Sequence, residues 1–129
     1  MEEQGPPELQ GIHVLVVDTD DSSRRVLQRA LELWGALVSA ATGHDALLTA
    51  LRADVIVCDL ATAEAAGRDF MPRLRALHSR PGRPVPIIGL VPLGIAIPGT
   101  PRAAGVECYL AKPAVPDDLR TAVWKLAHE

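Results

Sequence analysis

The chain has 129 residues, 48% of them in the hydrophobic set and 22% charged, with a formal net charge of −3. That length suits one domain with a full core that needs no disulfide or metal staple. Mild acidity argues against a nucleic-acid module, which needs a basic face. Phe70, Tyr109, Trp34 and Trp124 are the only aromatics, so the core must be aliphatic. Cys58 and Cys108 sit in apolar runs and read as buried free thiols of a reducing cytoplasm. No basic segment followed by an apolar one opens the chain, so a cytoplasmic rather than a secreted protein is expected. The stretch between Arg83 and Arg102 carries no charge, but Pro84, Pro86, Pro92, Pro98 and Pro101 cannot share one membrane helix. No membrane partner is expected.

Strand-like and helix-like segments alternate along the chain. Residues 1–10 are polar, with Pro6 and Pro7, and read as a flexible leader or linker ahead of a domain over 11–129. Residues 12–17 form a short apolar run ending in Asp18, as expected of a strand buried on both faces. Asp20 is placed to cap the next helix, with Asp21 in its first turn. That helix carries Val26, Leu27, Ala30, Leu31 and Trp34 at helical spacing and stops at Gly35. A second strand covers 37–40, and Thr42 is placed to cap a helix with Ala46, Leu47, Ala50 and Leu51.

A third strand over 55–58 again ends in an aspartate, Asp59. The following helix is predicted to begin near Asp69 and to bury Phe70, Leu74 and Leu77, with Pro72 tolerated in the first turn. Residues 86–91 read as a fourth strand and 108–110 as a fifth. Between them 93–100 is too rich in Pro and Gly for a regular helix, so a loop is expected, with at most a short helix over 101–104. Pro116, Asp117 and Asp118 open a last helix that places Leu119, Ala122, Val123 and Leu126 on one face. This alternation means a parallel α/β sheet with helices on both faces, and ligands bind beyond the carboxyl ends of such strands.

That rule directs attention to Asp18, Asp59 and Lys112. Two carboxylates and an ammonium at strand ends suit a divalent cation and a phosphoryl group. Taken singly, each reads as a helix cap or a solvated loop lysine; taken together they read as a site. His13, His44, His78 and His128 show no spacing that suggests a metal site or a dyad. Cys58 is expected to point into a helix layer, away from Asp59. Arg24, Arg25 and Arg29 read as a solvated face. Trp124 lies off the apolar stripe of its helix, so it is either partly exposed or, the favoured reading, packed over 93–100. Leu93, Ile95 and Ile97 either form an apolar docking patch or fill the groove left by a short helix.

The segments HVLVVDTDDSSRRVL, ADVIVCDLATAEAAG, PIIGLVP and AAGVECYLAKP resemble the receiver domain of two-component response regulators, over nearly the whole chain. Gly67, eight residues after Asp59, and Tyr109, three before Lys112, stand where that family has a glycine and a switch aromatic. The resemblance implies a flavodoxin-like, doubly wound sheet of five parallel strands in the order 2-1-3-4-5, the fourth helix short or missing. It implies that Asp59 accepts a phosphoryl group from a histidine kinase or phosphotransfer protein, that Lys112 pairs with the phosphoryl oxygens, and that Asp18, Asp59 and the backbone carbonyl of Ala61 hold Mg²⁺. Asp20 is a further candidate ligand.

Two positions depart from the pattern. Thr19 replaces the second acid of the metal pair, and Val91 replaces the hydroxyl residue that binds the phosphoryl group and links it to Tyr109. Each loss costs about 1.5–3 kcal/mol, so phosphorylation is expected to be weakened but not excluded, and Mg²⁺, short of one charged ligand, to bind weakly or not at all. Ala63 stands where the family has a proline. The expected function is phosphorelay signalling through Asp59, not turnover as an enzyme. The alternative is a pseudo-receiver, an interaction module that works without phosphate. A flavin- or nucleotide-binding protein is disfavoured by the lack of a phosphate loop after the first strand. Partner docking or homodimerisation is expected through 93–97 and the last helix. No output domain is legible, so the chain reads as a stand-alone regulator or as part of a larger protein such as a hybrid kinase.

Overall fold

A computed structural model of the protein describes residues 8–49, 52–77, 82–95 and 99–129. Five strands, β1 (His13–Val17), β2 (Leu37–Ala41), β3 (Val55–Asp59), β4 (Ile87–Val91) and β5 (Cys108–Ala111), pair in parallel in the order β2-β1-β3-β4-β5. This is the expected order. Six helices connect them: α1 (Asp21–Leu33), α2 (Ala46–Thr49), α3 (Leu60–Ala65), α4 (Phe70–Arg75), α5 (Pro101–Ala104) and α6 (Pro116–Ala127). As expected, the helix between β4 and β5 is short. Ala50, Leu51, His78, Ile97 and residues 1–7 lie outside the described residues. No helix among the described residues is long and apolar enough to cross a membrane.

Strand alternation divides the core in two. Val14 and Val16 of β1, Val55 and Val57 of β3, and Ile88 and Leu90 of β4 pack beneath α1 and α6 with Leu27, Leu31, Leu119 and Val123. Leu15, Val17, Ile56, Cys58 and Ile87 face the other way, against Phe70 and Leu74 of α4. Every residue of β3 and β4 is buried, as central strands covered on both faces must be. The same alternation decides where the strand ends point. Asp18 continues the parity of Val14 and Val16, Asp59 that of Val55 and Val57, and Lys112 that of Cys108 and Leu110, so all three meet on the α1–α6 side of the rim.

Several local expectations are corrected. Asp20 does cap α1, accepting from the Ser23 amide, and Gly35 follows that helix with φ +102, where an added Cβ would lie 2.7 Å from the Gln10 side chain. Val26, however, is 69% exposed, and only Leu27 and Leu31 of that helix are buried. Leu9 is fully buried and its amide donates to the Trp34 carbonyl, so the packed unit takes in a residue ahead of Gly11. Thr42 does not cap α2: its amide and that of Gly43 donate to the Asp45 carboxylate, and this turn delays the helix to Ala46.

The largest difference lies after β3. The chain passes from Asp59 directly into α3, a helix the apolar periodicity did not signal, and Gly67 (φ +103) then turns it into α4. Trp124 is partly exposed. Its ring stacks on His128 one turn later, centroids 4.4 Å apart, and remains 39% exposed.

Candidate functional site

The site is a closed polar network at the carboxyl ends of β1, β3 and β5. Lys112 Nζ donates to Oδ2 of Asp18 at 2.8 Å and to Oδ1 of Asp59 at 3.1 Å. Both carboxylates are buried, at 1% and 4% exposure. An unpaired charge in such a place is costly, and the ammonium between them supplies the pairing. Burial pulls the Lys112 pKa down, but the hydrogen bonds and charges of Asp18 and Asp59 outweigh it and hold the ammonium above the ordinary lysine value.

The remaining carboxylate oxygens are also engaged. Asp18 Oδ1 accepts from the Asp20 amide at 2.9 Å, and its Oδ2 also accepts from the Ser23 hydroxyl at 2.7 Å. Asp59 caps α3: its Oδ2 accepts from the amide of Thr62 at 2.8 Å and from the hydroxyl of the same residue at 2.9 Å. Thr19 joins from the β1–α1 loop, its amide donating to Thr62 Oγ1 at 2.9 Å and its hydroxyl lying 3.2 Å from the same oxygen. Arg24 is not simply solvated. Its guanidinium donates to the Asp18 carbonyl at 3.1 Å and pairs with Asp21. Ser23, Arg24 and Thr62 are the members of this network that the sequence reading did not place here. For Thr62 a signal exists, because Asp-x-x-Thr fits a helix cap and its N3 position.

The other candidates lie around this network. Asp20 is exposed and engaged as the α1 cap. Ala61 sits exposed in the first turn of α3. Val91 is buried at the end of β4 and lines a groove with Leu60, Ala61, Met71 and Ile95 on the α3 side. Tyr109 packs half-buried against the α4-side core, and its hydroxyl donates to the Thr100 carbonyl at 3.0 Å. Cys58 is fully buried on that same face; burial first, then the charges of Asp59 and Asp18, push its thiol up to about 12. Leu93 and Ile95 are both exposed and line different grooves. Leu93 lines a groove with Val26, Trp34 and Pro113 that runs to Lys112, whereas Ile95 lines the groove beside Leu60.

The donor set does not fit a tightly held magnesium. Among the described residues no three His, Cys, Asp or Glu side chains gather to hold a metal ion. Thr19 offers a neutral hydroxyl where a third carboxylate would stand, and Mg²⁺ favours carboxylates and water in near-ideal octahedral geometry.

No family model matches the chain. The sensory/regulatory protein RpfC of Xanthomonas campestris is 30% identical over 128 residues, covering 92% of this chain and 17% of that protein. The transcriptional regulatory protein ZraR of Salmonella typhimurium is 35% identical over 122 residues, covering 91% of this chain and 27% of that one. The crystal structure of the receiver domain of a sensor histidine kinase from Pseudomonas aeruginosa, with magnesium coordinated in its active-site cleft, superposes with a TM-score of 0.75 at 27% identity, covering 92% of this chain and 99% of that one. In fold and in sequence the chain resembles the receiver domains of response regulators. Receiver domains are signalling modules of two-component phosphorelays. The chain spans about a sixth to a quarter of the length of the curated relatives it matches.

Proposed function

We propose that this receiver domain accepts a phosphoryl group on Asp59 from the phosphohistidine of a kinase or phosphotransfer protein. The observation that carries the proposal is Lys112, whose ammonium touches Oδ1 of Asp59 while Asp18 anchors it. Oδ1 forms the new bond to phosphorus as the P–N bond breaks, and the electron pair returns to the ring nitrogen. With a proton on its other nitrogen, the imidazole leaves neutral. Negative charge on the phosphoryl oxygens draws Lys112 toward them, and Asp18 keeps the ammonium in reach. We infer that the reduced donor set binds magnesium weakly.

The donor side chain reaches Asp59 along the apolar groove of about 450 Å³ that runs between α1 and the β5–α6 connection up to Lys112. Val26, Trp34 and Leu93 line it, a surface suited to the apolar face of a helix that carries the histidine. On this reading the domain is a cytoplasmic signalling module, and it does not turn substrate over. A second reading, a pseudo-receiver that binds partners without phosphate, is favoured by one observation: every carboxylate oxygen of Asp18 and Asp59 already accepts a hydrogen bond within the protein.

A backbone-amide NMR titration with beryllofluoride, a mimic of the acyl phosphate, in magnesium buffer separates the two. Saturable shifts at Asp18, Asp59 and Lys112 that vanish in Asp59→Asn support the phosphoacceptor. A spectrum unchanged at saturating beryllofluoride supports the pseudo-receiver.

A further inference from the structure

Thr62 does more at this site than continue a helix. It is 2% exposed at the third position of α3, where an alanine would serve the helix equally well. Its hydroxyl carries one proton, and Asp59 Oδ2, a carboxylate oxygen, can only accept it. Thr62 Oγ1 therefore has only lone pairs left for Thr19, and both the amide and the hydroxyl of Thr19 donate to it, at 2.9 and 3.2 Å. The chain of donors runs in one direction, from Thr19 through Thr62 to Asp59. Each hydroxyl is polarised by the carboxylate at the end of it.

We propose that Thr62 is the positioning residue of the phosphoacceptor: it pins Oδ2 of Asp59, leaves Oδ1 beside Lys112 as the reacting oxygen, and passes the state of Asp59 to Thr19 in the β1–α1 loop. The inference rests on Asp59 being the phosphoacceptor. Esterification of Oδ1 converts Oδ2 from a carboxylate oxygen into a carbonyl oxygen of the acyl phosphate. That weakens both bonds from Thr62 and, through its hydroxyl, changes the bonds that hold Thr19. Toward Tyr109 no comparable path runs among the described residues, because Val91 has no hydroxyl and the Tyr109 hydroxyl is held by the Thr100 carbonyl. In this chain the polar route out of the site leads to the N-terminal end of α1.

The test compares the wild-type chain with Thr62→Val, which keeps the shape and loses the hydroxyl, and Thr62→Ser, which restores it. Asp59→Asn serves as the control. Labelling by acetyl phosphate is followed by intact mass, and the Thr19 amide is followed by NMR as beryllofluoride is added. We expect labelling to slow roughly tenfold in Thr62→Val, because Asp59 is no longer held with Oδ1 in its reacting orientation, and to recover in Thr62→Ser. We also expect the Thr19 amide to move in wild type and in Thr62→Ser. Labelling of Thr62→Val at the wild-type rate overturns the role of Thr62 and leaves the phosphoacceptor standing. Failure to label wild type and Thr62→Ser alike overturns the phosphoacceptor, and this inference with it. The wild-type titration stands without any variant: a Thr19 amide that stays still while that of Lys112 moves overturns the coupling.

Discussion

Lys112 and Asp18 lie 94 positions apart in the chain and meet at 2.8 Å, their side chains 18% and 1% exposed. The contact joins the two ends of the domain across the sheet, since β1 and β5 are not neighbours. Removing the ammonium leaves Asp18 and Asp59 buried without a cation, and breaking a buried pair from one side is far more damaging than never having built it. We expect Lys112→Met to cost about 3 kcal/mol, read as a lower urea midpoint at unchanged slope. Adding Asp59→Asn to Lys112→Met relieves the charge left behind, so the double variant should be more stable than Lys112→Met alone.

The same bridge has a pH signature. The folded pKa of Lys112 lies above its ordinary value near 10.5, so the folded state binds this proton more tightly than the unfolded chain does. The stabilisation is complete below about 10.5 and fades as the pH rises through the folded value. Urea midpoints of wild type should therefore fall more steeply above that pH than those of Lys112→Met. Parallel decline in the two proteins would show that the bridge contributes nothing there.

We propose that the path from the site to Tyr109 is broken at Val91. Val91 carries no hydroxyl, and Tyr109 is tethered to Thr100 instead. We expect beryllofluoride to leave the Tyr109 amide of wild type in place and to move it in Val91→Thr, since threonine has the shape of valine and adds the missing hydrogen-bonding oxygen. A Tyr109 response in wild type equal to that in Val91→Thr would show that the link does not need the hydroxyl.

Two leucines of α1 test the packing. Leu31 is fully buried in the core beneath α1 and α6, and Leu33 is 77% exposed. Leu31→Ala should cost about 2–5 kcal/mol through lost burial and the cavity left behind. Leu33→Ala should stay within about 0.5 kcal/mol of wild type. Chemical denaturation of the two variants checks both values.

How much of this was readable beforehand follows from the kind of signal each part carries. Asp18, Asp59 and Lys112 were legible because each closes an apolar strand, and parallel strands bring their carboxyl ends to one rim. The short α5 was legible from Pro98, Gly99 and Pro101. Helix α3 was not, since it has only six residues, two of them buried, and no apolar period to detect. Missing α3 hid Thr62, because a threonine three residues after an aspartate gains meaning only when the aspartate is a helix cap. Arg24 was misread for a related reason: its place on the polar face of α1 says nothing of a backbone carbonyl waiting at the end of β1. The stacking of Trp124 on His128 depends on neighbouring side chains one turn apart, which the pattern of buried residues does not encode.

Intact-mass measurement after incubation with acetyl phosphate, run side by side on wild type and Asp59→Asn, addresses the phosphoacceptor most directly. We expect wild type to gain the mass of a single phosphoryl group, in a form labile to hydroxylamine as an acyl phosphate is, and Asp59→Asn to gain nothing. Equal gain in both proteins, or none in wild type, would contradict the assignment of Asp59 as the phosphoacceptor.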